Sequence, residues 1–220
     1  MDHDAVAHPK RHVPAGEDFL LLSPTVQAYA YRNVDRMFAT RPIRRGNSVL
    51  QLERGREISP QYQADQATHG VDAYIDRANV AGLLVIKNEQ IVLERYSLGL
   101  EENVRWSSMS MIKSLTSTLV GAALQQGAIS SLDDAVSKYI PALRGCAHDA
   151  VTVRSLLTMS SGVRWSEDYT DRNSDVNRYS KSLGDKVPGG VLALMRSLKA
   201  EHPPGSHFPT TPATPMCSAV

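Results

Sequence analysis

The sequence predicts an α+β fold: an antiparallel sheet with helices, joined to a helical subdomain and incomplete towards the C-terminus. Three observations carry this expectation. Residues 81–96 read as two β-rich runs joined by a tight turn. Apolar residues then recur at helical spacing in successive stretches between 110 and 200. After Phe208 the pattern stops: five of the twelve prolines fall in the last eighteen residues, and no further element is legible there. The expected organisation is an N-terminal extension (1–70), a partial domain (71–208) and an aberrant tail (209–220).

Composition narrows the class. The chain has 220 residues, 42% hydrophobic and 21% charged, which is ordinary for a globular protein able to bury a core. A net charge of +1 offers no basic field for nucleic acid. No apolar run is long enough to span a bilayer. Phe19-Leu20-Leu21-Leu22 is too short and too far along to be a secretory core, so a cytoplasmic location is expected. A start codon further upstream would make the protein periplasmic or secreted instead. Cys146 and Cys217 form no framework, and the seven histidines show no ligand spacing, so neither metal nor cofactor is expected. Nothing sets an oligomeric state.

The elements follow in order. Residues 1 to about 60 have weak periodicity, with Tyr29, Tyr31, Met37 and Phe38 suited to pack a short helix onto a core. Val71, Tyr74 and Ile75 put one apolar side on a short helix over 71–78. Ala81 to Lys87 and Ile91 to Tyr96 read as paired strands, with Asn88-Glu89-Gln90 between them. The first strand is apolar on both faces and is expected to be covered on both. Helical spacing at Ile112, Leu115, Leu119, Val120, Ala123 and Leu124, with Gly127 as a stop, predicts a helix over 110–126. A helical subdomain over 131–200 follows. It has a helix capped by Ser131 and ending at Pro141, another over 151–159, and a third over 191–200. Trp165 to Asp171 is a polar loop with two aromatics, and its Glu167 and Asp168 are expected to be solvated charges.

At the head of the 110–126 helix stands Ser110-Met111-Ile112-Lys113. Three residues are about one helical turn, so the hydroxyl and the amine face one side. A serine hydroxyl needs a base within hydrogen-bond reach to act as a nucleophile. Lysine supplies one when desolvation or neighbouring cations depress its pKa. The helix N-terminus favours a developing oxyanion. No Gly-x-Ser-x-Gly elbow occurs, which disfavours a Ser-His-Asp hydrolase.

The order of these features resembles the serine β-lactamase-related family, which includes class C β-lactamases, penicillin-binding proteins, esterases and 6-aminohexanoate-dimer hydrolases. The matching parts run from the hairpin through Ser110-Met111-Ile112-Lys113 and Ser131-Leu132-Asp133-Asp134 to Lys138-Tyr139-Ile140-Pro141. Val151 to Gly162, with its Leu156-Leu157-Thr158-Met159-Ser160-Ser161-Gly162 run, is the more specific part. Trp165 to Tyr169 is most similar to the 6-aminohexanoate-dimer hydrolase branch. The resemblance implies a β-lactamase/transpeptidase-like fold. It also implies a serine hydrolase acting on a small-molecule amide or ester through an acyl-enzyme at Ser110. Lys113 would be the base, the Ser110 N–H an oxyanion donor, and Tyr169 a loop aromatic closing over substrate. The alternative is a binding remnant that keeps a cleft without turnover.

Two further family parts, a tyrosine motif and a Lys/His-x-Gly strand, are not found after the helix. Pro203-Pro204-Gly205-Ser206-His207-Phe208 resembles the approach to the tyrosine, but Pro209 and Thr210 follow. Shifting the frame by one base after Phe208 allows Tyr-Asn-Thr-Gly-Asp-Thr-Asn-Val-Leu-Gly. The expectation is a frameshifted, truncated chain with impaired activity and poor solubility, and the nucleotide sequence around Phe208 tests it.

Overall fold

The computed structural model describes residues 14–44 and 46–208; the 209–220 tail, with Cys217, lies outside them. The chain divides into two units, and one comprises Ser23–Arg36 and Thr40–Ser107. It opens with α1 (Pro24–Arg32), which has Pro24 at the first helical position, where the missing N–H costs nothing. The Arg32 side chain donates to the Ala28 and Gly99 carbonyls. Tyr31 meets Trp106 edge to face at 5.7 Å, and the Ser107 N–H donates to the Tyr31 carbonyl at 2.9 Å. A single turn, α2 (Val34–Met37), follows.

The strands are β1 (Glu53–Arg54), β2 (Gln61–Ala64) and β3 (Ala67–Gly70). After α3 (Val71–Ala78) come β4 (Gly82–Lys87) and β5 (Gln90–Tyr96). The expected hairpin is β4–β5. Its loop is Asn88-Glu89, with φ of 51° and 61°, the doubly left-handed turn that matches strand twist. Two features exceed the sequence expectation. β1 runs parallel to β5, giving the order β1-β5-β4, and β2–β3 form a second hairpin through Asp65-Gln66. Val92 and Leu93 are buried in the central strand. β4 lies at the sheet edge, and Leu84 and Ile86 are 51% and 47% exposed. The expected cover on both faces of β4 is therefore lacking among the described residues.

The other unit comprises Met1–Leu22, Met37–Ala39 and Ser108–Val220. Its helices are α4 (Ile112–Gln125), α5 (Val136–Tyr139) and α6 (Val153–Leu157), then α7 (Asp175–Gly184) and α8 (Gly190–Ser197). The core gathers Val136, Leu143, Val151, Val153, Leu194 and Met195, with Val120, Trp165 and Tyr179 packed against it. A 3-10 segment, Gly16–Leu21, is tied to α7 by Ser180, whose hydroxyl donates to the Gly16 carbonyl at 2.9 Å.

Ser131 does not cap a helix. Its hydroxyl accepts the Asp133 N–H at 3.0 Å within a turn, and the helix begins at Val136. The cause is a bridge between Ala135 and Thr152. The Val136 N–H donates to Val151 at 2.8 Å and the Val153 N–H to Asp134 at 3.0 Å, which holds the chain extended there. The α7 helix is an addition. Ser174 caps it, accepting the Asn177 N–H at 3.4 Å, with Asp175 in the first turn. Val176, Tyr179 and Leu183 stand one and two turns apart on one side. No helix among the described residues is long and apolar enough to cross a membrane.

Candidate active site

Ser110 occupies a 3-10 turn, Met109–Met111, that runs directly into α4. The Met111 N–H donates to the Ser108 carbonyl at 3.1 Å and the Ile112 N–H to the Met109 carbonyl. Met109 has φ of 46°, a left-handed conformation that an unbranched side chain adopts at a cost of about 1 kcal/mol or more. This strained residue sets the entry to Ser110, and only a backbone shows it. Ser110 is exposed and Lys113, one turn on, is half-buried. The α4 hydroxyls fold back on their own helix: Thr116 donates to Ile112 at 3.0 Å and Thr118 to Ser114 at 3.0 Å.

The third expected residue, Tyr169, lies on the 165–174 loop and is 46% exposed. Its hydroxyl donates to the Glu167 carboxylate. Burial, then the Glu167 charge and that bond, push the Tyr169 phenol above its ordinary value. Glu167 and Asp168 part ways. Asp168 is exposed and accepts from the Thr170 N–H at 2.9 Å and the Thr170 hydroxyl at 2.6 Å, which holds its carboxyl low. It is a turn-builder. Glu167 is not a solvated charge. It is half-buried, and burial raises its carboxyl above the usual range against the opposing pull of Lys113 and Tyr169. Glu167 and Tyr169 are partners within the loop, and the Lys113 charge acts on Glu167 with no ion pair between them among the described residues.

The loop is pinned from α7. The Ser166 N–H donates to Asp175 at 2.9 Å, and the Val176 N–H returns to the Ser166 carbonyl at 3.1 Å. The buried Asn177 amide donates to the carbonyls of Asp171 at 2.8 Å, Tyr169 at 3.2 Å and Asp168 at 3.4 Å. Trp165 meets Tyr179 edge to face at 6.5 Å. Sequence reading passes over Asn177. The signal for it is the Ser174-Asp175 cap ahead of apolar Val176, Tyr179 and Leu183.

A second scaffold carries the Ser160-Ser161-Gly162 run. Gly162 has φ of 69°, and a Cβ there would meet the His202 carbonyl oxygen. The Glu201 and His202 N–H groups both donate to the Gly162 carbonyl at 2.9 Å, and the Gly205 N–H donates to Ser160 at 2.7 Å. The Pro203-Pro204-Gly205 segment is thereby stitched to the end of α6. No cluster of His, Cys, Asp or Glu among the described residues could hold a metal ion. Cys146 carries a free thiol.

Comparison with known proteins finds relatives and a shared fold. A 6-aminohexanoate-dimer hydrolase of Paenarthrobacter ureafaciens is 34% identical over 123 residues, covering 54% of this chain and 31% of that protein. A β-lactamase of Pseudomonas fluorescens is 32% identical over 101 residues, covering 42% of this chain and 28% of that protein. A solved structure from Bacillus anthracis, provisionally assigned as a 6-aminohexanoate-dimer hydrolase, shares the fold with a TM-score of 0.77 at 16% identity. That match covers 92% of this chain and 55% of the other. The chain therefore spans about a third of the length of these curated relatives. The β-lactamase family model matches residues 64–209, more than half of the sequence, and the chain belongs to the β-lactamase family.

Proposed function

We propose that this chain carries the acylating centre of a serine hydrolase for amide or ester bonds, with Ser110 as nucleophile and Lys113 as base. The observation that supports it most is the placement of Ser110 on the turn feeding α4, one turn from Lys113 and ahead of its N-terminus. Neutral Lys113 takes the hydroxyl proton as the Ser110 oxygen bonds to the substrate carbonyl carbon. The resulting ammonium returns that proton to the departing amine or alcohol. Water then cleaves the acyl-serine. The names of two of the three relatives, 6-aminohexanoate-dimer hydrolases, favour a linear amide as substrate, and Tyr169 on the 165–174 loop would be the aromatic that lies against it.

Ser110 and Met111 are open to solvent, which favours a second reading: a module that is acylated or binds ligand but turns over poorly. A site that does not exclude water stabilises an oxyanion weakly. Fluorophosphonate labelling of purified protein separates these readings. An adduct on Ser110 that is absent from Ser110→Ala supports the nucleophile. Steady hydrolysis of a p-nitrophenyl ester, lost in Ser110→Ala, supports a turning-over enzyme, and an adduct without turnover supports the acylated module. No adduct at any pH rules out Ser110 as nucleophile. The frameshift proposal stands apart from this chemistry. A gene whose alternative frame after Phe208 yields nothing family-like ends it.

A further inference from the structure

Helix α7 carries the anchors of the Tyr169 loop in its first turn. Asp175 and Val176 bond to Ser166, and Asn177 holds the Asp168, Tyr169 and Asp171 carbonyls. Ten residues make a helix too short to hold itself in water, so α7 takes its order from what packs on it. Besides α8, that is the 3-10 segment Gly16–Leu21. The bonds that join this segment to α7 and to the loop span 164 and 154 positions of sequence.

The segment holds the helix and the loop together. Towards the end of α7, the buried Ser180 hydroxyl donates to the Gly16 carbonyl at 2.9 Å. Gly16 sits so close to the helix that a Cβ there would lie 2.5 Å from the Gly184 Cα. Towards the loop, Arg172 donates to Asp18 at 3.1 Å. Phe19 is buried and meets Phe38 edge to face at 5.2 Å, which seats the segment in the core of the same unit. An exposed ion pair contributes little by itself, so the hold lies mainly with Gly16, Ser180 and Phe19. We propose that Gly16–Leu21 is a strap that keeps the Tyr169 loop in place through α7, and that releasing the strap frees the loop. The strap is a positioning element. Its effect on hydrolysis rests on the reading of Tyr169 as the aromatic that lies against substrate, whereas its effect on the loop does not.

Hydrogen exchange on the full chain tests the strap. Gly16→Val forces the segment away from Gly184, and Ser180→Ala leaves the Gly16 carbonyl without its donor. Each is expected to speed exchange of the Ser166, Ser174 and Val176 amides by about fivefold or more, while the core amides of Val136 and Val153 keep their rates. Should Gly16→Val fail to fold, Ser180→Ala decides. Faster exchange confined to 16–21 overturns the proposal. So does an equal acceleration of loop and core, which is a general loss of stability. Catalysis gives a second measurement. Gly16→Val should raise KM for a p-nitrophenyl ester about threefold or more with a smaller change in kcat, and this rise should vanish when Tyr169→Ala is added. An equal rise in the Tyr169→Ala background overturns the action of the strap through Tyr169. No turnover by the wild type counts against the hydrolase reading, and exchange at Ser166 and Val176 still decides the strap.

Discussion

His148 is 1% exposed, and its Nδ1 has no hydrogen-bond partner. Burial pushes its pKa down against a bond to the Met195 backbone, which supports the charged ring. The folded state therefore holds the ring neutral, while the unfolded chain titrates near an ordinary value of about 6.5. Stability from this group is complete above that value and falls as pH drops below it, because the unfolded state binds the proton first. Urea unfolding at decreasing pH below about 6.5 should show this loss, and His148→Leu should lack it. Glu167 acts in the opposite direction over part of the range, since a raised carboxyl favours folding at lower pH, so the His148 contribution is read as the difference between the two proteins. Asn177 is a second residue whose value lies in what it ties down. Asn177→Ala removes an amide that donates to three loop carbonyls and should cost about 1–3 kcal/mol. Amide exchange should rise over 168–171 first. Of the candidate site, Ser110 and Lys113 were readable as candidates from the Ser-x-x-Lys spacing and the family resemblance, and Tyr169 from the resemblance alone. The inward turn of Glu167 was not, because adjacent loop acids look alike until the bonds to α7 decide which one is shielded.

At the level of elements, two turns carry conformations that their residues dislike or that only one residue allows. Glu89 has φ of 61° in the β4–β5 loop, where glycine is the favoured partner of a preceding asparagine. Glu89→Gly should stabilise the protein by about 1 kcal/mol, read from the denaturation midpoint. Gly162 is the reverse case. Its positive φ and its approach to the His202 carbonyl leave no room for a side chain. Gly162→Ala should destabilise by about 3 kcal/mol, from strain and overpacking together. A shift under about 0.5 kcal/mol would mean the 199–205 segment is not held against Gly162 in solution. The same elements show what the sequence could convey. The β4–β5 hairpin, α3, α4 and α8 were legible because each has apolar periodicity and a clear stop. The β2–β3 hairpin was not: Gln61-Tyr62-Gln63-Ala64 alternates only over four residues, with Tyr62 and Ala64 on its half-buried face, and Asp65-Gln66 makes its turn without glycine. The pairing of β1 with β5 is a long-range match of only two residues, which no local pattern encodes. Ser131 misled because it caps a turn with the same chemistry that caps a helix.

Across the whole molecule the apolar surface is unevenly covered. The α5–α8 region closes over its own core, with Leu143, Val151 and His148 fully buried. Helix α4 has no fully buried residue, although its sequence is apolar: Leu115 is 54% and Leu119 59% exposed. Exposed leucines on adjacent turns make a stripe that favours self-association. The poor solubility expected from the sequence rests on an uncovered hairpin; this stripe would add to it. The stripe can be converted without touching Ser110 or Lys113. Leu115→Glu with Leu119→Lys places an acid one turn ahead of a base, an orientation that supports a helix by about 0.3–0.5 kcal/mol. If the leucines face water in the isolated chain, the double variant should keep its unfolding free energy within about 0.5 kcal/mol. It should also sediment with less aggregate at equal concentration. If they are packed in solution, against another copy or another segment, charging both should cost several kcal/mol, in the range of about 2–5 kcal/mol per buried leucine. Dilution separates the two packed cases: a stabilising contact between copies weakens as concentration falls, and a contact within the chain does not.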